Sequence, residues 1–225
     1  MTGGTEAPAE IRTFLIADVR GYTRFTQSHG DEAGAALAAR FAEVVREAVE
    51  GRGGTVVELR GDEALCVFSA PRAALRAAVD LQRRCAEEMY ADPALPLAIG
   101  IGIDAGEAVP VAGGYRGGAL NLAARLCSIA KRGEVLLSDG VVHLARRTDE
   151  LNYLDRGRLS FKGFDEPVRV HQLTFDLDLP VEQPQAMPWW TPLRVASVAV
   201  AGVVLLGALV AAAAHCQAAA IIPTV

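Results

Sequence analysis

Phe14-Leu15-Ile16-Ala17-Asp18-Val19-Arg20-Gly21-Tyr22-Thr23 opens the folded part of the chain, and its reading decides the fold. A run of apolar residues with aromatic and β-branched members predicts a buried strand over Arg12 to Ala17. Asp18 ends that strand and leads into a glycine-containing turn, Val19 to Thr23. The free backbone N–H groups of such a turn, at Gly21, Tyr22 and Thr23, suit a phosphate much as helix N-termini do. A second aspartate, Asp62, sits at the tip of a predicted hairpin in Arg60-Gly61-Asp62-Glu63.

Strand-like and helix-like patterns alternate outward from this stretch. A helix is predicted over Asp31 to Glu50, strands over Thr55 to Leu59 and Ala64 to Phe68, a helix over Arg72 to Met89, and a strand over Leu97 to Asp104. That order is βαββαβ, a ferredoxin-like core of the α/β (α+β) class. In it the first strand runs antiparallel to the third, so the end of one meets the start of the other and Asp18 and Asp62 become neighbours. Taken singly, each is readable as a strand-end cap or a turn aspartate. Taken together they repel unless one shifts its pKa or a cation binds between them. Mg²⁺ held by one or two carboxylates plus substrate phosphates resolves that conflict.

A predicted glycine-rich loop, Gly113 to Gly118, precedes a predicted helix over Ala119 to Ala130, a strand over Glu134 to Ser138, and a β-rich portion through Phe161 and Val168 to Leu173. Asn121 and Arg125 stand one helical turn apart on one face. An Arg fork stabilises charge developing on a phosphate and its leaving group, and an Asn amide orients a hydroxyl. On spacing alone, a capping Asn and a solvated Arg are also open readings.

The chain has 225 residues and a net charge of -5, with basic residues dispersed, which excludes the electrostatic footprint of a nucleic-acid binder. Cys66, Cys85, Cys127 and Cys216 show no zinc spacing and read as reduced, structural residues. His29, His143 and His171 are isolated and stay off the list of ligands. Gly100, Gly102 and Gly106 loosely imitate a dinucleotide fingerprint, but they lie within a strand that opens no helix.

Expected boundaries are a disordered 1–10, a folded domain over 11–175, a proline-rich acidic linker over 176–192, a transmembrane helix over 193–214 and a short tail over 215–225. Val195 to Ala214 is twenty residues without a charge, long enough to cross a hydrocarbon core. Trp189, Trp190 and Arg194 precede it at interfacial depth, which predicts a single-pass anchor with the folded domain in the cytoplasm.

The segments FLIADVRGYTRFT (14–26), VVELRGDEALCVF (56–68), IGIGIDAGEAV (99–109) and GGYRGGALNLAARL (113–126) resemble the successive motifs of class III adenylate/guanylate cyclase catalytic domains. Leu159-Ser160-Phe161-Lys162-Gly163 resembles the late lysine-glycine element of that family, so the likeness spans Ile11 to about Leu173. The resemblance implies a homodimer whose shared sites convert a nucleoside triphosphate to a 3′,5′-cyclic nucleotide and pyrophosphate. It implies that Asp18 and Asp62 hold two Mg²⁺ or Mn²⁺ ions, that Asn121 orients the ribose, that Arg125 stabilises the transition state and that Lys162 meets the terminal phosphates.

Two positions depart from the adenylate cyclases: where they place a Lys and an Asp or Thr to read adenine, this chain has Glu58 and Gly114. An ionised Glu only accepts hydrogen bonds, matching the N1–H and 2-amino donors of guanine, so GTP is favoured over ATP. Gly114 supplies no side chain, which loosens that preference. The alternatives are an adenylate cyclase with atypical base recognition, a non-catalytic cyclase-homology module tethered to the membrane, and a purely structural interaction domain.

Overall fold

β1 (Glu10–Val19) runs between β3 (Glu63–Phe68) and β4 (Ile99–Val111), antiparallel to both, and its residues Thr13 to Ala17 are buried. The structure, a computed structural model, describes residues 9–145 and 151–176, all within the first of two units into which the chain divides, 1–179 and 180–225. The expected linker beyond Asp176, the expected span over 193–214, the tail and Cys216 lie outside the described residues. Among the described residues, no helix is long and apolar enough to cross a membrane.

β2 (Thr55–Arg60) forms the edge beside β3, and the order β2-β3-β1-β4, with α2 (Asp31–Glu50) and α3 (Pro71–Ala91) as the crossovers, is the expected ferredoxin-like arrangement. Beyond β4 the sheet continues through β6 (Val135–Ser138), parallel to β4, then β8 (Val168–Thr174) and β7 (Asn152–Leu159).

The two faces of the sheet are built differently. In Ile99-Gly100-Ile101-Gly102-Ile103, period-2 alternation sends three isoleucines to one face and two glycines to the other. The isoleucines are fully buried with Leu15, Ala17 and Val19 of β1 in the core beneath α2 and α3, which supplies Phe41 and Leu75. Burying one such side chain contributes about 2 kcal/mol. On the opposite face, α4 (Gly118–Ile129) lies on the glycines, and Phe14 and Ile16 of β1 pack with its Ala119, Ala123 and Cys127. A Cβ on Gly102 would stand 2.2 Å from both the Ala123 carbonyl oxygen and the Cys127 nitrogen. The helix backbone thus rests directly on the strand, closer than any side chain permits.

Several elements differ from expectation. β4 continues past Asp104 to Val111, because residues 105–108 pair with the start of β1 and 109–111 form a hairpin with β5 (Gly114–Arg116). Gly114 therefore lies in a strand, not in a loop. The stretch after Gly21 is not a turn but a helix, α1 (Tyr22–His29), which packs Tyr22 and Phe25 on the core but is too short for its apolar spacing to stand out in the sequence. α5 (Asp139–Ala145) follows β6 and had no signal either. Cys66, Cys85 and Cys127 are buried free thiols, each pushed up to about 12 by burial, as expected of structural cysteines.

Gly102→Ala forces a methyl group against backbone atoms that cannot rotate away, so it should cost about 3 kcal/mol or more, read as a lower urea midpoint. Asp104, which accepts a hydrogen bond from Ser138, is buried and its carboxyl is pushed up to about 6 by that burial. A folded-state pKa above the unfolded value means that folding takes up a proton, so stability is fullest below about pH 4 and falls as pH rises through 6. The full change is roughly 3 kcal/mol for a shift of this size, of which about 2 kcal/mol falls between pH 4.5 and 7.5, and Asp104→Asn should remove that difference when unfolding is measured at those two pH values.

Candidate functional site

Asp18 and Asp62 meet at one end of the sheet. Asp18 is paired across β1 and β3 with Glu63, and the Val19 N–H donates to the Asp62 carbonyl at 2.9 Å. Antiparallel pairing makes this unavoidable, since the hairpin tip between β2 and β3 abuts the exit of β1. Phe14, Ile16 and Asp18 alternate onto the α4 side, so the Asp18 carboxylate continues the row that packs under that helix. Burial lifts the Asp18 carboxyl above its ordinary value, the Arg20 guanidinium opposes the rise, and Asp62 and Glu63 add to it. A cleft of about 230 Å³ opens here, lined by Asp18, Arg20, Glu63, Ala124, Cys127 and Ser128.

Arg20 went unnoticed in the sequence. Its Nη1 donates to Asp18 Oδ2 and its Nη2 to the Cys127 carbonyl oxygen of α4. The only sequence signal was a basic residue two positions after an aspartate, a spacing too common to single out.

The donor set suits Mg²⁺ or Mn²⁺ better than zinc. Among the described residues no group of three His, Cys, Asp or Glu side chains could hold a metal, and the two converging aspartates are the complement that a hard cation takes when substrate phosphates and water supply the rest.

Asn121 and Arg125 stand on the solvent face of α4, both exposed, with neither in a hydrogen bond or ion pair of its side chain among the described residues. Leu122, Ala123, Leu126 and Cys127 are the buried complement that orients them outward. Ala124 and Ser128, on the same outward side, reach the cleft beside Asp18, whereas Asn121 and Arg125 do not line it. Lys162 occupies the β7–β8 turn, exposed, next to Phe161, which shares a buried cluster with Leu122 and Leu126 of α4.

Glu58 reaches the α4 side only through a β-bulge. The register of β2 shifts between Val56 and Glu58, so Glu58 faces Leu65, while Val56 and Leu59 both pack on the α2/α3 side. Strict alternation from Val56 would have turned Glu58 to that opposite side. Glu58 is half-exposed and accepts from Arg60 Nε at 2.6 Å. Gly114 of β5 comes close to the bulge, since a Cβ there would lie 3.7 Å from Val57 Cγ1, in ordinary contact.

Gly21 precedes α1 in the left-handed conformation, φ 92°, leaving the first N–H groups of the helix, at Tyr22 and Thr23, without intrahelical partners. The Tyr22 side chain is committed elsewhere: its ring packs on the core and its hydroxyl donates to the Gly34 carbonyl at 3.1 Å. Thr23 is exposed.

No protein-family model matches the chain. An uncharacterised protein of Mycobacterium tuberculosis is 32% identical over 158 residues, which cover 70% of this chain and 40% of that protein. An adenylate cyclase of Glutamicibacter nicotianae is 32% identical over 147 residues, 65% of this chain and 35% of its own length. The chain thus spans well under half the length of these relatives. Among solved structures, an adenylate/guanylate cyclase/hydrolase from Silicibacter pomeroyi superposes with a TM-score of 0.67 at 29% identity, covering 75% of this chain and 99% of that one. With its βαββαβ order, its added β4–α4–β6 crossover and its aspartates at the end of β1 and the β2–β3 turn, the described part of the chain has the fold of a class III adenylate/guanylate cyclase catalytic domain.

Proposed function

We propose that this chain is a nucleotidyl cyclase that forms a 3′,5′-cyclic nucleotide and pyrophosphate from a nucleoside triphosphate, at sites shared between two copies. The observation that carries this reading is the division of the chemistry: Asp18 lines a cleft, with Asp62 beside it at the same end of the sheet, while Asn121 and Arg125 face outward from α4 with no partner of their own among the described residues. A second copy presenting its α4 face to the Asp18 cleft would complete the set, and the cleft already opens at the flank of α4.

In this reading the ribose 3′-oxygen loses its proton and attacks the α-phosphorus, and the bond from that phosphorus to the bridging oxygen breaks to release pyrophosphate. Asp18 and Asp62 would hold two Mg²⁺ or Mn²⁺ ions, which when bound lower the pKa of the 3′-hydroxyl and neutralise the triphosphate. The Asn121 amide holds the ribose so that its 3′-oxygen lies in line with the leaving group. The Arg125 fork meets the charge that builds on the transferring phosphoryl group. Lys162 adds a positive charge for the terminal phosphates, and the N–H groups of Gly21, Tyr22 and Thr23 receive phosphate oxygens at the head of α1.

Base selection rests on Glu58 and Gly114. The bulge turns the Glu58 carboxylate toward the side where β5 brings Gly114, and an acceptor there favours guanine, so GTP is the preferred substrate in this proposal. Arg60 holds part of the Glu58 carboxylate, and Gly114 offers no second reader, so discrimination against ATP should be weak, about tenfold. The charge-free 195–214 further supports a membrane anchor, which raises the effective concentration of the two copies. Sedimentation of the full chain with membranes, retained in high salt, tests the anchor.

The assay that tests the activity uses the full chain with Mn²⁺ and each nucleoside triphosphate, reading the cyclic product by mass spectrometry. Cyclic GMP should dominate; Asp18→Ala and Asp62→Ala should abolish it, and Arg125→Ala should lower kcat about a hundredfold or more. Mixing the inactive Asp62→Ala and Arg125→Ala chains in equal amounts should restore about a quarter of wild-type activity, because half the dimers then carry one intact site of two. No restoration would exclude shared sites, and no cyclic product from any nucleotide would exclude the cyclase reading. Glu58→Lys with Gly114→Asp, for which the contact to Val57 leaves room, should shift the product toward cyclic AMP.

A further inference from the structure

The Asp18 carboxylate already has a cation at its side. Arg20 Nη1 donates to Asp18 Oδ2, while Nη2 donates to the Cys127 carbonyl oxygen and lies 3.6 Å from Cys127 Sγ. The residue is held from both ends. Its backbone N–H donates to the Ala98 carbonyl at 2.8 Å, and its own carbonyl accepts from Arg132 Nη2 at 3.2 Å. The guanidinium fills the space left by Gly100, where a Cβ would stand 2.4 Å from Nη2 and 2.5 Å from Nε. With only 19% of its side chain exposed, Arg20 cannot swing freely into solvent the way a surface arginine does.

This geometry sets up a competition. A guanidinium and a divalent cation both seek the same carboxylate, and two positive charges a few ångströms apart in a half-buried site repel appreciably. The repulsion falls on a free metal ion in full. It falls far less on a metal ion that arrives carrying triphosphate oxygens, whose negative charge offsets the guanidinium.

We infer that Arg20 is a positioning residue of the metal site: it aims the Asp18 carboxylate, lowers the affinity for free metal, and thereby favours entry of metal as its nucleotide complex. The anchor at Cys127 ties this function to the seat of α4, so the carboxylate is aimed only when the helix lies on its glycines. The inference rests on the reading of Asp18 and Asp62 as metal ligands.

The test is Mn²⁺ binding to the full chain without nucleotide, followed by the loss of the free-ion electron paramagnetic resonance signal. Arg20→Gln should bind Mn²⁺ about tenfold more tightly than wild type, a gain that mere structural damage would not produce. Arg20→Met, which keeps the stem over Gly100, carries the same expectation if the Gln variant fails to fold. Equal or weaker binding in the folded variants, with wild-type binding abolished by Asp18→Asn, would overturn the role of Arg20 and leave the metal site standing. Wild-type binding that survives Asp18→Asn and Asp62→Asn, or no binding in wild type and Arg20 variants alike, would overturn the metal site itself and this inference with it.

Discussion

The seat of α4 on the bare backbone of β4 is the constraint on which the rest of the site depends. Gly100 and Gly102 have no side chains on the one face where the helix crosses, and Ala123 and Cys127 come within contact of the strand itself. Close approach of helix to sheet brings dispersion contacts that a larger residue would forfeit. It also places Ala124, Cys127 and Ser128 against the end of β1, where Asp18 lies. The same alternation that supplies isoleucines to the α2/α3 core therefore supplies the groove for α4, and one short stretch serves both layers.

Charge in the cleft is arranged by burial as much as by proximity. Asp18, Asp62 and Glu63 gather at one end of the sheet, and burial together with the neighbouring carboxylates makes ionisation of Asp18 less favourable. Arg20 opposes this through a salt bridge, and it donates a second hydrogen bond to the Cys127 carbonyl of α4.

The edge of the sheet adds a second device. Val56 and Leu59 both belong to the α2/α3 core although they stand three residues apart, which a regular strand forbids. The bulge at Val57 reconciles them, and in doing so it turns Glu58 to the α4 side, near Gly114 of β5. An apolar requirement on one face thus sets the orientation of a carboxylate on the other.

What the sequence determined by itself was the element order and its chemistry. The runs at Phe14 to Ala17 and Ile99 to Ile103, the helical periods of α2 and α3, and the placement of Asp18 and Asp62 at a strand end and a hairpin tip are all local patterns of spacing, and local spacing is set by backbone geometry alone. The ferredoxin-like order and the meeting of the two aspartates follow from it. Short elements escaped for the same reason: α1 has 8 residues and β5 has 3, too few for a period to be read. The tertiary structure alone decided the bulge that re-aims Glu58, the bond from Arg20 across to Cys127, and the glycine groove that had looked like a failed nucleotide fingerprint. Each of these joins residues from different elements, and such contacts depend on packing between surfaces that have no sequence period in common.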